Sequence, residues 1–274
     1  MKVTTLAILG VLSLNIAHAE GIKAVNNQIG LSFGGQHIDY VEKDTYNVTS
    51  DGILDSEKGW QPGLKLHYSL QGDRLGIKDL YFKASYAYAK GMTDYKGYLQ
   101  NLNTGALTPY NTETHTSSTD AQLKLGKGFL VGSKTQLTPY VAYNYREWER
   151  DMSFDPYGYL EMYSHDAASV GLLTQYAFTP NLVGSLDFSV GYMFNAQMVV
   201  ENYYKFDLGK RPVYALELGL DYAITKAWHV FGNMQYMQYN YGESNTVPTV
   251  IGNMVEPNSK SKILQFYVGA AYAF

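Results

Sequence analysis

The sequence predicts an all-β chain, closed into an antiparallel up-and-down transmembrane β-barrel of ten strands, and three observations carry this. The last segment alternates strictly. Leu264, Phe266, Val268, Ala270, Tyr272 and Phe274 are apolar, and Gln265, Tyr267, Gly269, Ala271 and Ala273 between them are polar or small. A period of two is that of a two-faced β-strand, and the bulky apolar face is the one that suits contact with lipid. The same alternation recurs through the chain, and the connections between the segments alternate between short and long, as the turns and loops of spanning barrels do.

Taken in order, strand one is expected near 28–40. Strand two presents Leu64, Leu66, Tyr68 and Leu70 outward and Lys65, His67 and Ser69 inward. Strand three sets Leu80, Phe82, Ala84, Tyr86 and Tyr88 against Tyr81, Lys83 and Ser85. Further strands are expected near 119–130, 136–148 and 165–178. Strand seven sets Leu182, Leu186, Phe188, Val190, Tyr192 and Phe194 against Ser185, Asp187, Ser189 and Asn195. Strand eight sets Tyr214, Leu216, Leu218, Leu220, Tyr222 and Ile224 against Glu217 and Asp221. The last two lie near 228–241 and 262–274; merging or splitting a weaker segment would give eight or twelve. Long connections are expected over 41–59, 91–118, 149–164, 197–211 and 242–261. The short ones hold turn-forming clusters such as Gly72-Asp73, Gly132-Ser133 and Thr179-Pro180-Asn181. In strand one the apolar parity switches from Ile29, Leu31 and Phe33 to Ile38 and Tyr40 across Gly34-Gly35, which predicts a register-resetting bulge.

Met1 and Lys2 form a short basic start, Val3 to Ile16 is largely apolar, and Ala17-His18-Ala19 is a small-x-small cleavage site. Residues 1–19 therefore read as a cleaved secretory signal, and residues 20–274 as the barrel with five long loops. The apolar run falls short of the ~20 residues of a spanning helix. Loss of Lys2 leaves 20 basic residues against 25 acidic, a weak acidity that gives nucleic acid no basic stripe to bind. The 26 Tyr are the compositional anomaly; at a bilayer boundary the ring sits in hydrocarbon and the hydroxyl in water. Cysteine is absent, no pair of His has metal-ligand spacing with a carboxylate third, and no cofactor motif occurs.

An aromatic residue at the end of a final amphipathic strand, behind a secretory signal, resembles the bacterial outer-membrane β-barrels. In that family the last strand is read by the barrel-insertion machinery, and Gly269, Tyr272 and Phe274 fit the spacing of that tag. The resemblance, to small barrels of the opacity, adhesin and omptin type, is architectural. It implies an integral outer-membrane protein with both termini periplasmic and with lipid and lipopolysaccharide as neighbours.

Inward positions carry Lys65, Lys83, Lys124 and Arg146 on strands two to five and Asp187, Glu217 and Asp221 on seven and eight. Opposite signs on opposite walls could set a transverse field in a narrow pore, or pair across a filled lumen, where an unpaired charge is costly. Loop contacts are expected from Tyr46, Tyr95, Tyr98, Phe154, Tyr157 and Tyr159, because loops on a rigid scaffold carry recognition. The opposing view makes these aromatics, with Trp60 and Trp148, part of the interfacial girdle. Omptin proteases pair Asp before His and use two further acids. Here His37-Ile38-Asp39 has the reverse order and no Asp-x-Asp occurs, so no catalytic role carries over. His67-Tyr68-Ser69 has the shape of a lipid A deacylase motif but points inward. Ser164-His165-Asp166 is contiguous and cannot form a triad by itself. The leading expectation is a non-enzymatic surface barrel whose loops contact an extracellular partner. The alternative is a narrow porin for small solutes, and after it a rim-active protease or lipid A hydrolase.

Overall fold

The computed structural model describes residues 18–101, 104–201, 203–250 and 252–274; residues 1–17 of the expected signal lie outside them. Ten long strands form the wall: β1 Gln28–Lys43, β2 Ile53–Arg74, β3 Ile77–Gln100, β4 Leu107–Lys127 and β5 Thr135–Asp151. They continue with β6 Leu160–Thr179, β7 Leu182–Val200, β8 Pro212–Ala223, β9 Trp228–Tyr241 and β10 Ser259–Ala273. Each pairs antiparallel with the next, and β10 returns to β1 in a ladder from Gln28↔Ala273 to Glu42↔Ser259. The barrel is closed, so no strand edge is left open.

Alternation sorts the side chains. Leu64, Leu66 and Tyr68 are exposed on the outer wall, whereas His67 and Ser69 are buried inside. Leu186, Phe188 and Val190 face out around the inward Asp187, and Leu216, Leu218 and Leu220 around Glu217. Beyond this apolar band, toward the long-loop end, the outward positions turn charged. Asp39 on β1 pairs with Lys58 on β2 at 3.3 Å, and Glu147 and Glu149 face out on β5. The upper part of each long strand is therefore a collar standing clear of the apolar band.

Four sequence expectations are corrected. The long connections are shorter than expected because the collar keeps the ladder going: β3 and β4 pair from Leu80↔Lys127 to Gln100↔Leu107, placing most of 91–118 in strand. The β2–β3 turn lies at Leu75-Gly76, both at positive φ (54° and 75°), rather than at Gly72-Asp73; a tight hairpin with this twist requires left-handed residues at both central positions. No bulge interrupts β1 at Gly34-Gly35, since its register with β2 and β10 is continuous there. Ile38 and Tyr40 change parity relative to Phe33 because the lumen itself turns aromatic at that height. The glycine pair serves close approach instead: a Cβ on Gly34 would sit 1.9 Å from the Phe266 carbonyl oxygen, and one on Gly35 2.1 Å from that of Gln61. Asn195 was expected inward. It takes a left-handed φ of 51° beside a register shift between β6 and β7, which turns it outward to donate to Asp166 at 2.8 Å.

The packing at Gly34 yields a test. Gly34→Ala should lower barrel stability by about 1–3 kcal/mol through overpacking. Gly72→Ala, where a Cβ meets nothing within 4 Å, should stay within about 0.5 kcal/mol. The temperature at which the refolded chain loses its folded electrophoretic mobility measures both.

Candidate functional site

The interior is built in layers from the short-turn mouth upward. The helix at residues 18–25, of which 20–25 belong to the expected mature chain, lies across that mouth, with Ile22 and Val25 packed on Ala177 and Val183. Behind it Asn26 donates to Gln71 (2.6 Å) and Gln175 (2.7 Å), and Gln136 donates to Gln71 (2.9 Å), so an amide net spans the opening. These polar tips satisfy one another where water is scarce.

The next layer holds the charges. All seven expected inward residues point into the lumen, and six of them, all but Lys83, meet a side chain of opposite character there. Lys124 Nζ lies 2.5 Å from Asp187 across the barrel, and Tyr140 donates to the same carboxylate. Lys65 reaches Glu217 at 3.3 Å, supported by Asn233. Lys83 lines a cavity of ≈ 60 Å³ with Asp187, Glu217 and Asp221. Asp221 bonds His229 at 2.5 Å and accepts from Gln28 at 3.3 Å. Arg146 makes two 2.7 Å bonds to Asp120 on the neighbouring β4 and also touches Tyr239 and Gln36. A second cavity of ≈ 70 Å³ lies beside it. Cavities of this size hold a few water molecules. Two pairs, Lys124–Asp187 and Lys65–Glu217, thus join opposite walls by contact across the lumen.

Above the ion pairs the interior becomes aromatic. Ile38, Tyr40, Trp148, Tyr163, Tyr239, Tyr241 and Ile263 form one cluster with Met198, Phe206, Leu208 and Val247. Trp148 is 2% exposed and donates to Thr116 at 2.6 Å, so it is an interior residue; Trp60 alone of the two expected girdle tryptophans faces outward. At the top of this cluster Arg150, 1% exposed, donates to Glu57 (2.8 Å) and Glu161 (2.6 Å) and lies 3.5 Å from Asp55. Its guanidinium also stands over the rings of Tyr40, Tyr95, Trp148 and Tyr163 at 5.1–5.8 Å. Glu42 accepts from Tyr40 at 2.8 Å, and Glu256 accepts from Tyr163 at 2.7 Å. Five carboxyls thus surround one cation in the collar. Burial pushes Glu42 and Asp55 well up from the ordinary carboxylate range and raises Glu161 as well, with Arg150 opposing. Burial, then the charge of Glu161, pushes Glu256 up to about 8. Among the described residues no group of three or more His, Cys, Asp or Glu is arranged to hold a metal ion.

The outer rim carries the loop candidates. Tyr46, Phe154, Tyr157 and Tyr159 are exposed; Tyr46 donates to Glu243 at 3.3 Å and Phe154 stacks on His115 at 4.6 Å. Tyr157 packs edge-on against Tyr110, whose hydroxyl donates to Asp155 and holds that carboxyl below its usual range. Tyr95 and Tyr98 lie on β3 rather than in a loop, and Tyr95 turns inward toward Arg150. The terminal Tyr272 and Phe274 face outward, against Trp228 and Tyr68, and Gly269 leaves room for the Leu31 carbonyl oxygen. His37 and Asp39 point out of the barrel, away from the buried acids.

Asp120, Glu57, Arg150, Glu161 and Glu256 were not anticipated. The signal for two of them was parity: Trp148 and Arg150 continue the inward row of Arg146, and Glu161 and Tyr163 continue that of His165.

No protein-family model matches the sequence, and no curated protein matches it. Solved structures are similar to it in varying degree. The outer membrane protease OmpT from Escherichia coli aligns over 91% of this chain and 97% of its own, with TM-score 0.57 and 12% identity. OprG from Pseudomonas aeruginosa covers 91% and 98% with TM-score 0.36 and 14% identity. An outer-membrane channel from Pseudomonas putida F1 covers 91% and 96% with TM-score 0.40 and 12% identity. The likeness to the first is one of fold alone, that of a small outer-membrane β-barrel; the other two scores are too low to carry an argument.

The cross-lumen pair offers a stability test. Lys124→Ala strands the buried Asp187 and should cost about 3–5 kcal/mol, while Lys124→Met with Asp187→Leu should recover most of the loss. Urea unfolding midpoints of the refolded chains in detergent report the difference.

Proposed function

We propose that this chain is a non-conducting, non-enzymatic outer-membrane barrel that acts through its long-loop rim, where exposed aromatics contact a partner outside the cell. The observation that carries this reading is the filled lumen: an amide net at one mouth, ion pairs across the middle and an aromatic cluster at the other end. A solute path would have to break buried pairs, each costly to separate. The N-terminal strand start and the C-terminal residue sit together at the short-turn end, where the Phe274 amide donates to the Asn27 carbonyl at 3.0 Å. On this reading that end is periplasmic, the outward Tyr272 and Phe274 are presented to the insertion machinery, and lipopolysaccharide surrounds the collar. Tyr46, Phe154, Tyr157 and Tyr159 supply rigid amphipathic rings of the kind that dominate recognition surfaces.

Single-channel recording of the mature chain refolded into a planar bilayer tests the lumen. The expected result is a silent bilayer with a correctly folded barrel. Salt-dependent steps whose selectivity shifts with Lys83→Gln or Glu217→Gln would make it a pore. For the rim, Phe154→Ala with Tyr157→Ala should weaken adhesion of expressing cells about tenfold or more, with the folded barrel at its usual surface level.

A further inference from the structure

The strap of residues 252–258 leads into β10 and carries Glu256 inward, over the aromatic cluster. Its partner Ser244 holds it by two bonds, the Ser244 amide to the Glu256 carbonyl (3.0 Å) and the Glu256 amide to the Ser244 hydroxyl (2.8 Å). Gly252–Met254 pairs with Val247–Thr249, and Val247 is part of the cluster beneath. The only side chain that the strap sends into the carboxyl cluster is Glu256. It meets the Tyr163 hydroxyl at 2.7 Å and lies within hydrogen-bonding reach of the Glu42 carboxyl. Two carboxyls can share a hydrogen bond only while one of them keeps its proton.

The groups facing Glu256 come from most of the strands of the wall. β1 brings Tyr40 and Glu42, β2 Asp55 and Glu57, and β3 Tyr95. β5 brings Arg150, and β6 Glu161 and Tyr163, with Tyr159 just before it. Thr114 of β4 donates to Glu57, and the Tyr241 ring of β9 stacks on Tyr163, both uncharged. One guanidinium therefore faces five carboxyls. Arg150 Nη2 and Asp55 Oδ1 are buried in the midst of them without hydrogen-bond partners, so the single cation does not saturate its surroundings.

We propose that this cluster is a proton-operated latch: the shared protons of Glu256 and Glu42 hold the strap down over the aromatic cluster, and their loss lifts it. Like charges in a buried site repel strongly and regain water on opening. The direction follows from linkage. Glu256 titrates near 8 when the strap is closed, against 4.5 for an ordinary glutamate. Closure is therefore fully supported below the ordinary value, weakens as pH rises between the two, and loses the contribution above 8. The open-to-closed ratio rises by up to tenfold per pH unit across that window. Opening uncovers the rings of Tyr40, Trp148 and Tyr163 to the exterior and leaves the lower ion pairs in place, so the latch is independent of whether the rim binds a partner.

The full chain, refolded in detergent with Trp60→Phe and Trp228→Phe, leaves Trp148 as sole tryptophan reporter beneath the strap. Quenching of its fluorescence by neutral acrylamide should increase about threefold or more between pH 6 and pH 9.5, reversibly, with a midpoint near the Glu256 value. Glu256→Gln keeps a neutral side chain and should flatten the rise; Glu42→Gln, measured alongside in case the first fails to insert, should move it to higher pH. A pH-independent signal, an unchanged midpoint in the inserted variant, or a rise that coincides with loss of folded mobility would overturn the latch.

Discussion

Closure of the hydrogen-bond ladder between β1 and β10 is the constraint on which the rest depends. In hydrocarbon a peptide group without a partner costs several kcal/mol, so the wall is tolerable only as a ring in which every strand has two neighbours. That ring fixes a period of two around the whole circumference and leaves each residue one choice, lipid or lumen. Gly34 and Gly35 matter for this reason. They let the backbones of β10, β1 and β2 approach at the seam, where the first strand must fit the last without losing register.

A ring of ten strands encloses a space that side chains nearly fill, and the chemistry of the filling follows depth. At the short-turn mouth uncharged amides bond one another around Asn26. In the middle Lys65 of β2 and Lys124 of β4 meet Glu217 of β8 and Asp187 of β7, and two further pairs join neighbouring strands, Asp120 with Arg146 and His229 with Asp221. In the collar, rings replace charges until Arg150 and its carboxyls close the column. A buried charge is tolerated when paired, which is why the lumen carries both signs and why their positions, on facing walls, read as a field in the sequence and as contacts in space.

Strand number and in–out parity were legible because lipid enforces alternation wherever it touches the wall. Legibility fades in the collar, where lipid no longer acts. There the outward residues are charged and the inward ones aromatic, so Ile38 and Tyr40 imitate a register reset and Trp148 imitates a girdle residue. Tyr95 imitates a loop contact for the same reason: Thr, Asn and Tyr compose a strand there as readily as a loop. Glu42, Asp55 and Glu57 fall within the expected connection 41–59 because burial, not composition, gives them their role. Glu256 lay beyond any parity argument, since it enters the lumen from a strap rather than from a strand.

The collar also sets a distance. β3 is 24 residues long, and about eight of them run past Met92, the last aliphatic residue on its outer face. At ~3.3 Å per residue and a tilt near ~40°, that overhang lifts the hairpin tip roughly 20 Å above the lipid boundary. The aromatic rim is thus carried on a pedestal, held by backbone ladder rather than by flexible tether. A headgroup or short saccharide beside the barrel reaches the pedestal's flank, with its Asp39–Lys58 pair, whereas only something taller than that layer can meet Phe154 and Tyr157.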